Sequence, residues 1–193
     1  QGFEAFKARV EQATGGIVFT GHPTFALSRD LRTALADHVV SATKTSRTAL
    51  QRQIRADSRA WNQQISLQGE HDEVQDAVEH AANAQLAYAS VLISVARKAF
   101  PDDWRSLKIY VPTIACWVGY DLDGRADIHW SQSLTFRLTE KAVQLGRYAA
   151  QLEAISGSQK IGPLAKLTQR LKTAAEDTAG HAALFAADLQ QRV

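Results

Sequence analysis

Apolar residues recur every three or four positions along most of the chain, which is the pattern of amphipathic helices. Ser28 is a favourable N-cap, and a long helix is expected after a break at Gly69 and before Pro101. Ser131 can cap a later helix, and Pro163 suits the first turn of the last one. The predicted helices cover residues 2–14, 28–44, 50–61, 70–100, 132–155 and 163–193.

Two short apolar runs interrupt the helical pattern and predict β-strands. Ile17 to Thr20 is a β-branched and aromatic run after a glycine pair, and Thr113 to Gly119 is the second run. Because two strands of this size do not form an independent sheet, we expect them to pair in parallel as the first strands of a larger β/α barrel. The predicted fold class is mainly α with two short parallel strands, in a single region over residues 1–193.

Composition narrows the class of protein. The chain has 193 residues, of which 45% are apolar, so it can bury a sizeable core. Its formal net charge is +2 and its basic residues are scattered, which argues against a nucleic acid or an anionic membrane as a partner. The apolar runs are shorter than a membrane span, and we expect a cytoplasmic location.

The cysteine and methionine contents add two expectations. Cys116 is the one cysteine, so it cannot form a disulfide within the chain, and its apolar surroundings favour a small buried hydrophobic residue. The sequence opens with Gln1 and contains no methionine. We therefore expect a processed chain or a piece of a longer one.

The first candidate site follows the first predicted strand, where the sequence reads Gly21-His22-Pro23-Thr24. This order places an imidazole at the carboxyl end of a strand, the end at which α/β folds bind ligands. A histidine there can move a proton or hold an anionic group. A histidine that only packs or caps a tight turn is the alternative, and the local sequence alone favours it.

The second candidate site follows the second strand, in the run from Trp117 to Arg125. Its carboxylates, Asp121 and Asp123, can bind a cation or grip an arginine and organise the loop. The calcium-loop pattern fails because Gly124 comes too early and Gln132 stands where a glutamate is needed. We therefore favour loop organisation as the role of the two carboxylates. The histidines of the chain lack the i, i+4 spacing of metal ligands, so no metal site is predicted in this chain.

Taken in order, the two sites resemble the signature motifs of the phosphoenolpyruvate carboxylases. Thr20-Gly21-His22-Pro23-Thr24 is similar to the family's Thr-Ala-His-Pro-Thr, and Trp117 to Ala126 is similar to its Trp-Met-Gly-Gly-Asp-Arg-Asp-Gly-Asn-Pro. The likeness covers most of the chain from about Gly15. Leu122 replaces the arginine of the second motif, so the anion contact that this arginine could make is missing from the loop. Further departures include Gly21 for alanine, Phe25 at a commonly polar position, and Arg125-Ala126 for Asn-Pro.

The resemblance implies a fold, a reaction and an assembly. The chain would be the N-terminal part of a helix-wrapped β/α barrel that converts phosphoenolpyruvate and bicarbonate to oxaloacetate and phosphate. The enzyme would use Mg²⁺ or Mn²⁺ held by ligands outside this chain, and would form a homo-oligomer, a tetramer in the family, when full length. His22 would be catalytic, handling carboxyphosphate and a proton. The residues implied to bind substrate or organise the loop are Thr24, Asp121, Asp123, Gly124 and Arg125.

Two other functions stay open at this point. A non-catalytic helical homologue, serving as a binding or regulatory module, would explain Leu122 and the short chain. An unrelated helical bundle that binds a small molecule among its helices would require both motif matches to be accidental. The reading frame beyond Val193 separates the first of these from an enzyme fragment, which by itself would be inactive.

Overall fold

The helical pattern is realised in a mainly α structure, as predicted. The computed structural model describes residues 2–13, 15–20, 27–40, 44–57, 65–122, 125–126, 128–157 and 162–191. None of the described helices combines the length and the apolarity needed to cross a bilayer. The described elements are α1 (Gly2–Glu11), β1 (Gly16–Phe19), α2 (Arg29–Val40), α3 (Lys44–Asp57), α4 (Leu67–Ala99), a single 3₁₀ turn (Trp104–Ser106), β2 (Thr113–Cys116), α5 (Trp130–Ser156) and α6 (Gly162–Gln191).

The chain divides into two compact units, which are described separately. The N-terminal unit spans Gln1–Val118 and contains α1 to α4 with both strands. The C-terminal unit spans Gly119–Val193 and contains α5 and α6. The boundary falls inside the second candidate motif. The single region expected over residues 1–193 stays a prediction.

The two predicted strands pair with each other in parallel. Their register runs from Gly16 opposite Thr113 to Phe19 opposite Cys116. One further bond extends the ladder, because the backbone N–H of Trp117 donates to the carbonyl of Phe19 at 2.9 Å. β2 ends at Cys116, three residues before the predicted end, because the chain turns over residues 118–120. The carboxyl ends of both strands therefore lie side by side.

The segment before β2 is hydrogen-bonded to the segment before β1. The N–H of Tyr110 donates to the carbonyl of Val10 at 2.8 Å, and its hydroxyl donates to the carbonyl of Gly15 at 2.6 Å. The N–H of Lys108 donates to the carboxylate of Glu11 at 2.7 Å. These bonds bring the amino ends of the strands together although about a hundred residues separate them.

α4 packs along the strand pair and forms the core of the N-terminal unit. The Val74 side chain is fully buried, and the Gln85 side chain near the middle of α4 donates to the carbonyl of Pro112, just before β2. α4 therefore runs antiparallel to the strands, and its first turns lie at their carboxyl ends. Val74 forms the core cluster with Val118, surrounded by Phe19, Ile65, Leu67, Ala77 and Cys116.

The start of α4 corrects the predicted break at Gly69. Ser66 is the N-cap, and its hydroxyl oxygen accepts a hydrogen bond from the Gly69 N–H at 3.1 Å. Gly69 therefore lies inside the first turn, and a Cβ there would approach the Ser66 hydroxyl to 3.3 Å. The other end agrees with the prediction, because Phe100 caps the helix and Pro101 follows it.

The apolar residues that recur at helical spacing along α4 are not all buried. Val74 is buried, whereas Leu86, Val91 and Val95 are exposed, Val91 by 61%. Periodicity indicates which face of a helix is apolar, but whether another element covers that face depends on the tertiary structure. Large apolar side chains are also exposed on α2 (Leu35 and Val39) and on α5 (Leu134, Val143 and Ile155).

α5 and α6 form an antiparallel helical hairpin in the C-terminal unit. Trp130 at the start of α5 contacts Phe185 near the end of α6, with ring centroids 6.1 Å apart. Towards the other end, the Lys172 ammonium lies 2.5 Å from the Glu153 carboxylate. The N-cap of α5 is His129, whose ring nitrogen accepts from the Ser131 N–H, so the predicted cap at Ser131 is wrong. The buried side chains include Phe136, Ala149 and Ala182.

Candidate functional site

The carboxyl edge of the strand pair is where the candidate site begins. Phe19 and Cys116 face each other in the register, and the chain leaves both strands at this edge to enter the two candidate motifs. Crevices at the carboxyl ends of parallel strands are the usual ligand sites of open α/β sheets. The two motifs, about a hundred residues apart in sequence, thus begin at neighbouring points of the N-terminal unit.

Several of the predicted site residues lie outside the described residues. They are His22 and Thr24 of the first motif, with Asp123 and Gly124 of the second. The catalytic role of His22 and the binding or organising roles of the other three stay predictions. The described members of the predicted site are Asp121 and Arg125.

Gly119 fixes the turn of the second motif against α5. Its φ of +85° lies in the region that favours glycine. A Cβ at this position would overlap the ring of Phe136, which is almost fully buried. The Gly119 carbonyl also accepts a hydrogen bond from the Ser133 hydroxyl at 2.5 Å. The turn therefore has a defined position on α5 that a larger residue would disturb.

Tyr120 holds the next part of the turn on the same helix. Its hydroxyl donates to Oε2 of Glu140 at 3.2 Å, and Glu140 is only 15% exposed. The guanidinium carbon of Arg137 lies 5.6 Å from the centre of the Tyr120 ring. Arg137 Nη1 lies 3.6 Å from the same Glu140 oxygen. An aromatic ring, a carboxylate and a cation thus meet at the turn.

The remaining described residues of the turn differ in their surroundings. Asp121 and Arg125 are half-buried, and each interacts with another group of the chain. Leu122 donates its N–H to the carbonyl of Tyr120 at 3.0 Å, and its side chain is 57% exposed. An apolar side chain therefore points into solvent where the resembling motif has an arginine.

Two buried polar residues at the carboxyl edge were not recognised in the sequence. Glu70 and His71, in the first turns of α4, are 4% and 2% exposed. Both take part in polar interactions, and Nε2 of His71 lies 3.4 Å from the amide nitrogen of Gln75. Acidic residues at a helix start are usually solvated and favourable to the helix dipole, so the sequence alone contained no signal of their burial.

Cys116 is half-buried rather than fully buried. Its sulfur lies 3.9 Å from the carbonyl oxygen of Val118, a weak donor contact at the end of β2. Cys116 packs against the core cluster of Val74 and Val118, as expected for a small apolar residue, but it is less buried than expected.

The described residues do not fit the metal that the resemblance implies. Within the described ranges, no three side chains of the His, Cys, Asp or Glu type are grouped so that they could hold an ion. Glu140 already accepts from Tyr120 and pairs with Arg137.

Comparisons with protein-family models, with curated proteins and with solved structures return no match to this chain.

Proposed function

We propose that this chain is the N-terminal part of an enzyme that carboxylates phosphoenolpyruvate with bicarbonate, giving oxaloacetate and phosphate. One observation carries the proposal: β1 and β2 pair in parallel, so the segments that resemble the two family motifs leave the sheet at the same edge. A chance pair of motif-like segments would have no reason to follow neighbouring parallel strands.

His22 is the proposed catalytic residue. In the sequence it follows the end of β1 by three residues, and β1 ends at the edge where open α/β sheets bind ligands. An imidazole can exchange a proton near neutral pH and, when protonated, can attract the anionic carboxyphosphate. These two abilities match what carboxylation of an anionic substrate requires.

The second motif supplies the proposed organising turn, with Asp121, Asp123, Gly124 and Arg125. Thr24, two residues after His22 in the sequence, is the proposed substrate-binding or organising residue of the first motif. The contacts of Gly119 with Phe136 and Ser133 support this role, because they hold the start of the turn in one conformation. Substrate-positioning groups act only when the surrounding shell keeps them in place. The Mg²⁺ or Mn²⁺ of the reaction, and the homo-oligomer, are assigned to the full-length protein.

The substitution His22→Asn in the full-length gene product tests the catalytic role. We expect oxaloacetate formation to fall by at least about 10²-fold, the usual contribution of a positioned acid or base. Circular dichroism should be unchanged, because asparagine is similar in size and polar. His181→Asn, at an exposed position on α6, is the matched control and should keep the wild-type rate. A variant at His22 with undiminished turnover would reject the assignment.

A non-catalytic binding or regulatory homologue is the second candidate function. The exposed Leu122 favours it, because this turn lacks the arginine of the resembling motif. This alternative predicts no carboxylation by the full-length product with either metal present, whereas the enzyme proposal predicts turnover that depends on His22.

A further inference from the structure

A cation reaches the turn after β2 from α5. The Arg137 guanidinium lies over the ring of Tyr120, 5.6 Å from its centre. A guanidinium over an aromatic face is attracted by the ring while its N–H donors remain available at its edges. Arg137 is 70% exposed, so donors that do not face Glu140 are open to solvent at this turn.

The Tyr120 ring beneath Arg137 is held in place, whereas Glu140 leaves the guanidinium largely available. Glu140 lies 3.6 Å from Arg137 Nη1, which is longer than a strong charge-assisted hydrogen bond, so the carboxylate engages the cation only loosely. The same carboxylate accepts the Tyr120 hydroxyl, and the preceding Gly119 is packed on the buried Phe136 ring. The ring under the cation is therefore held in place, which lowers the ordering cost when Arg137 binds a ligand.

We propose that Arg137 is an anion-binding residue of the turn after β2, and that its ligand is a phosphate group. Guanidinium groups bind phosphate oxygens through paired N–H donors, which an exposed edge can supply. The inference rests on the proposed function, in which the substrate carries a phosphate and phosphate is a product.

This assignment also accounts for two departures from the resembling motif. Leu122 removes the arginine from the turn, and Tyr120 stands where the motif has its second glycine. Tyr120 provides the ring that Arg137 stacks on and the hydroxyl that positions Glu140. The positive charge lost at Leu122 is therefore supplied from α5. Arg125 is half-buried and already interacts within the chain.

Glu140 competes with the ligand for Arg137. Neutralising it in Glu140→Gln removes a negative charge beside the guanidinium, while the amide oxygen can still accept from Tyr120. Phosphate should therefore bind this variant more tightly than it binds the wild-type chain. A residue pair that only stabilised the turn would not produce such a gain.

The experiment titrates inorganic phosphate into the purified chain and follows the Arg137 side-chain NH and the Tyr120 amide by NMR. We expect a saturable shift, a dissociation constant at least about tenfold weaker in Arg137→Gln, and a constant lowered about threefold in Glu140→Gln. Arg137→Lys should give an intermediate value because it keeps the charge and loses the planar fork. Acetate, tested in parallel, should produce smaller shifts if phosphate is the preferred anion, and equal shifts would overturn the phosphate assignment.

Lys172→Gln is the matched control. It removes one positive charge from the same unit, and its partner Glu153 lies about 20 Å along α5 from Glu140. Phosphate affinity should change by less than about twofold, because salt screens charges at that range. The wild-type titration decides the proposal even if a variant fails to fold.

Absence of a saturable shift at Tyr120 and Arg137 would overturn the proposal, as would equal losses in Arg137→Gln and Lys172→Gln. This outcome is distinguishable from failure of the proposed function. Phosphate binding by the isolated chain requires no turnover, whereas the His22→Asn assay measures turnover by the full-length product.

Discussion

At the scale of single residues, Gly119 determines how the turn of the second motif packs against α5. Its positive φ and the missing Cβ are both needed, because the backbone passes directly over the buried Phe136 ring. Its carbonyl is also held by Ser133. Within the C-terminal unit, this one residue thus fixes the start of the turn on the helix that carries Arg137 and Glu140.

The substitution Gly119→Ala should lower the free energy of unfolding by roughly 2–4 kcal/mol. Backbone strain at positive φ contributes about 1 kcal/mol, and overpacking against Phe136 contributes the rest. Urea unfolding followed by tryptophan fluorescence measures the change. Gly146→Ala is the control, because a Cβ there meets open space inside α5 and alanine favours a helix by about 1 kcal/mol. Equal stabilities of the two variants would contradict this account of the turn.

At the scale of elements, the capped start of α4 is what supports the carboxyl edge. Ser66 orders the first turn, and Val74 in the third turn packs on Val118 just after β2. Glu70 and His71 are buried in between. A loosened first turn would therefore disturb the edge at which both motifs begin.

The substitution Ser66→Ala should cost about 1 kcal/mol of stability, because the Gly69 N–H loses its acceptor. Ser66→Asp should retain the cap and most of the stability. Ser94→Ala, at an exposed position of the same helix, should be neutral or slightly stabilising. Thermal unfolding by circular dichroism separates these outcomes, and a loss in Ser94→Ala as large as in Ser66→Ala would refute the capping argument.

At the scale of the whole molecule, the two-stranded sheet is partly uncovered. Ile17 and Val18 of β1 are 43% and 57% exposed, although parallel sheets are normally buried on both faces. Each strand has one strand neighbour among the described residues. Further strands, as in the barrel of the proposed enzyme, would cover this surface.

Hydrogen exchange tests this expectation. In the isolated chain, the amides of β1 and β2 that do not bond across the pair should exchange rapidly. In the full-length product they should become protected, because new strands would accept from them. The buried helical amides around Val74 serve as an internal reference in both samples. Equal exchange of the strand amides in the two samples would argue against barrel completion.

Much of the fold was predictable because its causes are local. Helices and strands follow from spacing and from β-branched residues within a few positions. The parallel pairing was expected for a different reason, because two strands of this size do not form an independent sheet and fit the start of a β/α barrel. Gly69 was misjudged because glycine often ends a helix, yet here it accommodates the Ser66 cap. Ser131 was misjudged because the N-cap is His129, two residues earlier, whose ring nitrogen accepts from the Ser131 N–H.

The candidate site was predictable only in its order along the chain. The motifs around His22 and Asp121 could be located after their strands, since motif and strand are contiguous in sequence. The contacts of Tyr120 with Arg137 and Glu140 could not be predicted. They depend on how the turn folds back onto α5, which follows it in the sequence.

The sequence by itself determined the mainly α class, the two short strands and the positions of the motifs, because these depend on backbone preferences and side-chain spacing within one element. Tertiary structure alone decided which apolar faces are covered, why Glu70 and His71 are buried, and which cation stands at the turn. Those features arise from contacts between residues distant along the chain, and no local pattern specifies the distance or the orientation at which such residues meet.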